Sequence, residues 1–199
     1  GSTYSVTFAG TVHSARYLVT SAEAVGAPEA SHQRPIVDIS TGRAEYLVIA
    51  HPDFLDELEP LLAARRADGL SVKMVDVRDV YVQYAGGVFD AGAIHEYVKR
   101  AVTRMGTRYV LLAGGDTYDY RDYLGLGSIG FVPSLYVATD EIVQFAPVDS
   151  EYADVDGDGV PDAAIGRLPA RTGTEMASLV AKTLAYAAKS YDRTAVFAA

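Results

Sequence analysis

The segment DVDGDGVPD, residues 154–162, places four aspartates close together in one short stretch. Two carboxylates about 4 Å apart repel each other by roughly 4 kcal/mol at an effective dielectric constant of ~20. A loop that gathers several of them therefore either stays open in water or holds a cation.

The spacing of these residues matches the first part of a calcium loop. Asp154, Asp156 and Asp158 occupy alternate positions, and a glycine follows where such loops turn sharply. The backbone carbonyl of Val160 and the carboxylate of Asp162 fall at the next two ligand positions. Because oxygen ligands on a flexible loop favour Ca²⁺ over Mg²⁺, the sequence predicts a Ca²⁺ ion held by these five residues.

The segment departs from the helix-loop-helix form of this site in two ways. Position twelve is Ile165 instead of a bidentate glutamate, and a strand is predicted to follow instead of a helix. We expect further ligands from Asp149, Glu151, a carbonyl or water, and a structural ion with a dissociation constant of ~10⁻⁴ to 10⁻³ M. The alternative is a solvated acidic turn without an ion.

The other polar candidates carry weaker signals. Asp116, in GGDTYDY, either lines a cleft or caps backbone N–H groups in a turn, and the second interpretation is favoured because no phosphate-binding glycine motif is present. We expect His51 to begin a helix cap and His95 to lie on the solvent side of a helix. The four histidines lack metal-ligand spacing: His13, His32, His51 and His95. No catalytic residue is predicted.

From residue 45 onward, strand-like and helix-like patterns alternate. Strands are predicted at 45–50, 71–77, 108–115, 131–137 and 162–169. Helices are predicted after residue 51 up to a C-terminal Gly69, at 91–106 with Asp90 as N-cap, and at 174–189 with Thr172 or Thr174 as cap. Pro60 lies inside the first helix and is expected either to kink it or to mark its start.

This order of elements predicts an α/β fold with a parallel sheet and flanking helices. Such sheets carry their sites at the carboxyl ends of the strands, where His51, Asp76 and Asp116 fall.

The first forty residues have a different pattern. Short strand-like runs lie at 4–8 and 15–20, without a helix signal. We therefore predict a β segment over 1–42, the edge of an upstream region, and an α/β subdomain over 43–199. The opening Gly1-Ser2 is typical of a tag remnant, and we expect the chain to be a piece of a longer protein.

Composition excludes several classes of function. The chain of 199 residues carries 17 basic and 26 acidic residues, a formal charge of −9, and no basic patch, so a nucleic-acid or anionic-membrane partner is not expected. No apolar run approaches the ~20 residues of a membrane-spanning helix. The absence of cysteine excludes disulfides, thiolate metal sites and a cysteine nucleophile from this chain.

Several blocks, taken in order, resemble the gingipain-type cysteine peptidases. They are YLVIAHPDFLDELEPLLAARRADGLSVKMVDVRDVY, GGVFDAGAIHEYVKRA, RYVLLAGGDTYDY, EYADVDGDGVPDAAIGRLPART and KTLAYAA. The resemblance runs from about residue 43 to the end and implies the first half of a caspase-like α/β peptidase domain. It places the catalytic His and Cys in a following half, and it assigns the 154–162 loop and the 165–169 strand to the family's equivalent segments.

On this resemblance, we expect the chain to be the calcium-stabilised, non-catalytic first subdomain of a secreted or cell-surface cysteine endopeptidase. Its partners would be the downstream catalytic subdomain and a polypeptide substrate, and the chain alone would be inactive. One alternative is a calcium-binding structural or binding module of a bacterial surface protein. Another is a receiver-like or nucleotide-binding sheet that uses Asp76 and Asp116 to bind Mg²⁺ or phosphate.

Overall fold

The computed structural model describes residues 35–139 and 141–189, together with Thr7. The chain divides into two compact units, Gly1–His32 and Gln33–Ala199, and the second contains the α/β fold. The strands predicted at 4–8 and 15–20, apart from Thr7, lie outside the described residues, as do His13, His32 and the last residues of the chain. The predicted domain boundary at residue 42 stays a prediction.

The secondary structure of the described part alternates between strands and helices. The strands are β1 (Tyr46–Ala50), β2 (Val72–Asp76), β3 (Tyr109–Ala113), β4 (Tyr136–Val137), β5 (Ala146–Pro147) and β6 (Ala164–Leu168). The helices are α1 (Leu55–Ala67), α2 (Val77–Ala85), α3 (Ala91–Arg100) and α4 (Gly173–Ala187). Short 3₁₀ turns cover Pro52–Phe54 and Asp149–Tyr152, and a π turn over Ala101–Met105 extends α3.

Four strands form one parallel sheet in the order β2-β1-β3-β6. Strands β4 and β5 pair separately as a short antiparallel ribbon. The predicted α/β class with a parallel sheet and flanking helices is therefore confirmed. Because all four strands are parallel, the carboxyl ends of β2, β1, β3 and β6 lie at the same edge of the sheet.

The helices cover both faces of the sheet. Leu47 and Ile49 of β1 point into the core beneath α2 and α3, whereas Val48 and Ala50 point into the core beneath α1 and α4. All four are fully buried, which explains why the strand has a continuous apolar sequence instead of an alternating one. Among the described residues, no helix combines the length and apolar character that crossing a bilayer requires.

Helix caps follow the sequence signals closely. The Asp90 carboxylate accepts a hydrogen bond from Gly92 N at the start of α3, and the Thr172 hydroxyl accepts one from Glu175 N at the start of α4. Helix α2 lies where no element was predicted. Its sequence, VRDVYVQYA, mixes β-branched and aromatic residues, but Asp76 caps its first turn and Gly86, at φ 61°, ends it.

Pro60 neither begins nor breaks the first helix. It lies inside α1, which already starts at Leu55, so the expectation that proline marks the start was wrong. Proline cannot donate to the carbonyl four residues earlier, here that of Asp56. Both residues are on the exposed side of the helix, where water can satisfy the freed carbonyl.

The segment 131–137 is not the strand that its apolar sequence predicts. Only Tyr136–Val137 pairs with another strand, and that strand is β5. The two sides of β3 are already occupied by β1 and β6, so the segment runs past the end of the sheet. Gly114 makes this close approach possible, since an added Cβ would lie 2.8 Å from Phe131 Cβ.

Arg167 of β6 holds this segment in place. Its Nε and Nη2 donate to the two carboxylate oxygens of Asp149, both at 2.7 Å. Nη1 donates to the carbonyls of Gly114 and Val132 at 2.8 and 2.6 Å, and Nη2 donates also to that of Pro133 at 3.1 Å. A guanidinium has five N–H donors, so every donor of this largely buried side chain is used.

Replacing Arg167 with methionine should lower the free energy of unfolding by about 3 kcal/mol, because the buried side of Asp149 would lose its cation and three carbonyls would each lose a hydrogen bond. Urea unfolding measures this change. The control Arg66→Met removes an exposed pair with Glu59 and should stay within about 0.5 kcal/mol of the parent. Equal losses in the two variants would contradict a stabilising role for the Arg167 network.

Glu45 joins the amino ends of β1 and β2. Its carboxylate accepts hydrogen bonds from Ser71 N and Oγ at 3.1 and 2.9 Å, and from Arg43 Nη2 at 2.9 Å. The Arg43 hydrogen bond, followed by those from Ser71, lowers the pKa of Glu45 to about 2. Because the charged form is favoured in the folded state, this carboxylate stabilises the fold above its usual pKa near 4.5.

The stabilisation from Glu45 should be lost as the pH falls from about 4.5 towards 2. Ser71→Ala removes one of its donors and should move the pKa of Glu45 upward towards the usual value. A ¹³C NMR titration of the carboxyl carbon reads this pKa directly. An unchanged pKa in the Ser71→Ala variant would show that the serine hydroxyl does not stabilise the carboxylate.

Candidate metal centre and the carboxyl edge of the sheet

The aspartate loop folds around the carboxylate of Asp154. Its Oδ1 accepts hydrogen bonds from Gly157 N and Asp158 N at 2.9 and 3.1 Å, and its Oδ2 accepts one from Gly159 N at 2.8 Å. Gly157 and Gly159 have φ values of 80° and 85°, which the turn requires and which favour glycine. The loop closes where Asp162 N donates to the Ala153 carbonyl at 2.8 Å.

Three of the predicted ligands come together. One carboxylate oxygen each from Asp154, Asp156 and Asp162 lies within 4.8 Å of the others. Ca²⁺ binds oxygen at 2.3–2.6 Å, so two ligands of the same ion are at most about 5 Å apart and the three oxygens fit one ion. Within the described part of the chain, no lysine or arginine forms an ion pair with them.

The other predicted ligands are placed differently. Asp158 lies outside this group, and its Oδ1 accepts a hydrogen bond from Val160 N at 2.8 Å. Asp149, expected as a further ligand, forms the ion pair with Arg167 instead. The donor set in the structure is thus three carboxylates on one loop, which suits a hard divalent cation that completes its coordination with carbonyls and water.

His95 does not lie on the solvent side of its helix, contrary to expectation. It is half-buried, and its Nε2 lies 3.2 Å from the carbonyl oxygen of Asp154. A carbonyl only accepts, so Nε2 carries the proton in this contact. The histidine therefore joins α3 to the aspartate loop, a role that its position in the sequence did not indicate.

The residues predicted at the carboxyl ends of the strands form hydrogen bonds that stabilise the local fold. His51 Nδ1 caps the turn after β1 through Asp53 N, a long contact of 3.4 Å. Asp76 caps α2 through Arg78 N and also binds the Arg78 side chain at 2.7 Å. The Asp76 carboxylate is therefore paired with a neighbouring arginine, and within the described part of the chain it belongs to no group of three or more converging acidic side chains.

Asp116 lies beyond the end of β3 beside a cavity of about 220 Å³. Its Oδ2 accepts hydrogen bonds from Ser134 N at 2.9 Å and from the Tyr136 hydroxyl at 2.5 Å. Burial, followed by this hydrogen bond, raises the pKa of Tyr136. Asp116 thus lines a cavity, and the backbone N–H that it caps belongs to Ser134, 18 residues away, and not to its own turn. The cleft interpretation, which the sequence did not favour, describes Asp116 better than the turn interpretation. The sequence alone did not favour the cleft, because the walls of this cavity come from segments far apart in the chain.

Comparison with solved structures finds a similar fold in two proteins. The dimeric latent PorU from Porphyromonas gingivalis has a TM-score of 0.61 at 23% identity, over 71% of this chain and 15% of that chain. The Arg-specific cysteine proteinase gingipain R has a TM-score of 0.53 at 18% identity, over 77% of this chain and 30% of that one. The present chain thus spans less than a third of either protein.

The sequence itself matches one family. Residues 39–199 match the model of peptidase family C25, whereas no curated protein matches the chain. The family match covers most of the chain, and the predicted gingipain-type resemblance is confirmed by it together with the shared fold. The chain is a member of peptidase family C25.

Proposed function

We propose that this chain is the non-catalytic first subdomain of a secreted or cell-surface cysteine endopeptidase. The observation that carries the proposal is the family match over residues 39–199 in a sequence without any cysteine. A cysteine peptidase needs a thiolate nucleophile and an acid-base partner. In this proposal a downstream catalytic subdomain of the same polypeptide supplies both, and the present unit scaffolds them.

Calcium stabilisation is part of this proposal. Asp154, Asp156 and Asp162 would hold the ion, with Asp158 and the Val160 carbonyl as the remaining predicted ligands. Support comes from three carboxylate oxygens that lie within 4.8 Å of one another. Among the described residues, no lysine or arginine forms an ion pair with these three aspartates. A bound Ca²⁺ would offset their mutual repulsion and fix the loop before β6. Calcium loops with low affinity for Ca²⁺ are typical of extracellular proteins, and this supports the proposed location outside the cell or on its surface.

A second function fits the same absence of cysteine. The chain would then be a calcium-binding structural or binding module in a surface protein that has lost catalysis. The two functions differ in what the longer gene product does, because only the first requires a working thiolate downstream.

The 199-residue chain alone should not hydrolyse a casein substrate, whereas the longer product should do so with loss of activity after iodoacetamide treatment. Catalysis requires the thiolate, and alkylation blocks it. Hydrolysis by the purified short chain would contradict the proposal. A folded long product with no thiol-dependent activity would establish the structural module instead.

Ca²⁺ should raise the melting temperature of this chain. A ligand bound only by the folded state adds RT ln(1 + [L]/Kd), about 2.7 kcal/mol at a hundredfold excess over Kd. Asp156→Asn should remove most of the rise, because it neutralises one ligand while preserving its shape. Differential scanning fluorimetry with Ca²⁺, Mg²⁺ and EDTA measures the effect.

The matched control is Asp56→Asn, which removes the same charge from an exposed position on α1. It should respond to Ca²⁺ as the parent does. Identical melting curves of the parent chain in EDTA and in excess Ca²⁺ would show that the loop is only a solvated turn.

A further inference from the structure

A cleft of about 330 Å³ lies at the amino edge of the parallel sheet. Its walls come from the first residues of β1 and β3 and from the end of α1 with the turn that follows it. The lining residues are Tyr46, Tyr109, Arg65, Asp68 and Leu70. A volume of this size is typical of pockets that hold small organic ligands between apolar walls and a few polar groups. The chemistry of these five side chains therefore decides which ligand fits.

The end of α1 forms a rigid wall of this cleft. Gly69, at φ 86°, turns the chain out of the helix. Its N–H donates to the Arg66 carbonyl at 3.0 Å, and Leu70 N donates to the Arg65 carbonyl at 3.2 Å. These bonds satisfy carbonyls that a helix end otherwise leaves free. The backbone thus fixes the positions of Asp68 and Leu70 before any ligand binds.

Arg65 and Asp68 present donors and an acceptor side by side. Arg65 Nη1 donates to Asp68 Oδ2 at 2.9 Å, and the guanidinium carbon lies 5.8 Å from the centroid of the Tyr46 ring. Burial raises the pKa of Tyr46, and the nearby guanidinium opposes this rise. Within the described residues, the Asp68 side chain forms no other hydrogen bond, so Oδ1 remains an acceptor. The guanidinium likewise has N–H donors beyond the one that Asp68 uses.

Two tyrosines supply the aromatic surface of the cleft. Tyr46 and Tyr109 are direct partners in the register of β1 and β3, and their ring centroids are 6.3 Å apart. Tyr109 is 38% exposed, and Arg108, which lies over its ring, does not line the cleft. An aromatic ring has a negative face. C–H groups that are polarised by a neighbouring oxygen therefore pack favourably against it.

The charges in the cleft favour a neutral ligand with adjacent hydroxyl groups. An anion would be repelled by Asp68, and a cation would be repelled by Arg65. One hydroxyl oxygen can accept from the guanidinium while its neighbour donates to the carboxylate, and both hydrogen bonds are charge-assisted. In a trans peptide group the N–H and the C=O point in opposite directions, so a peptide backbone matches this side-by-side arrangement less well.

We propose that this cleft binds a neutral pyranose unit of a glycan. Two adjacent ring hydroxyls contact the Arg65 guanidinium and Asp68 Oδ1. The C–H groups of the sugar ring pack against the exposed part of Tyr109, and Leu70 closes the apolar side. This binding does not depend on the proposed peptidase activity, since it uses only residues of this chain.

The probes are the methyl pyranosides of glucose, galactose and mannose, in both anomeric forms. ¹H–¹⁵N NMR titration of the whole chain follows the amides of Leu70 and Tyr109, which lie at the cleft. We expect at least one glycoside to bind with a dissociation constant on the order of 1 mM and to shift both amides. Tetrahydropyran, which has the same ring without hydroxyls, and N-acetyltyrosine amide, which stands for a polypeptide side chain, are titrated in parallel.

Asp68→Asn keeps an oxygen for Arg65 but removes the charged acceptor, and it should weaken glycoside binding about tenfold. Tyr109→Val keeps a β-branched residue at the start of β3 and removes the ring, so it should also weaken binding about tenfold. The matched control Glu59→Gln removes the same charge from the exposed pair with Arg66 and should leave binding unchanged.

Equal binding of a glycoside by the parent chain and by the Asp68→Asn variant would overturn the proposal, as would equal shifts with glycosides and with tetrahydropyran. Tighter binding of N-acetyltyrosine amide than of every glycoside would assign the cleft to a polypeptide and overturn the assignment to a sugar. Absence of any shift at tens of millimolar of each glycoside would overturn the site altogether. The amide spectra also report whether each variant is folded, so a folding defect is recognised separately.

Discussion

The Arg167 guanidinium is the interaction on which the carboxyl edge of this fold depends. One side chain gives hydrogen bonds to the carboxylate of Asp149 and to the carbonyls of Gly114, Val132 and Pro133. Burying a charge is favourable only when its hydrogen bonds are made, and here all of them are made. The arginine thereby fixes the position of the segment 131–137, which does not pair with the four-stranded sheet.

The segment 131–137 in turn contacts the turn that precedes the aspartate loop. The Tyr152 hydroxyl donates to the same Pro133 carbonyl at 2.8 Å, and Tyr152 is fully buried. The turn that carries Tyr152 leads directly into the aspartate loop, which His95 also contacts. Buried hydrogen bonds therefore join the sheet edge to the loop after β3, and the acidic loop follows directly in the chain from Tyr152.

Two groups of aspartates in the described part of the chain lie in different surroundings. In the 154–162 loop, three carboxylates converge on one another, an arrangement that suits a divalent ion. Asp90 and Asp116 instead lie beside aromatic rings at the carboxyl edge of the sheet, and each accepts a hydrogen bond from a backbone N–H.

The sequence by itself determined the local features of this protein. Apolar runs predicted β1, β2, β3 and β6, and caps such as Asp90 and Thr172 predicted the starts of helices, because these depend on neighbours within a few residues. The spacing of Asp154, Asp156 and Asp162 predicted a group that the structure brings together, because all three lie on one short loop. The family resemblance likewise came from blocks within the chain.

Only the tertiary structure decided the rest. The apolar segment 131–137 looks like a strand, but β1 and β6 already flank β3, and the carbonyls of Val132 and Pro133 are used by Arg167. Nothing near Arg167 in the sequence indicates its partners, which lie 18 to 53 residues away. The cavity between Asp90 and Asp116 has the same origin. Such long-range contacts depend on which segments the packed sheet brings together. A local sequence pattern does not indicate which segments these are.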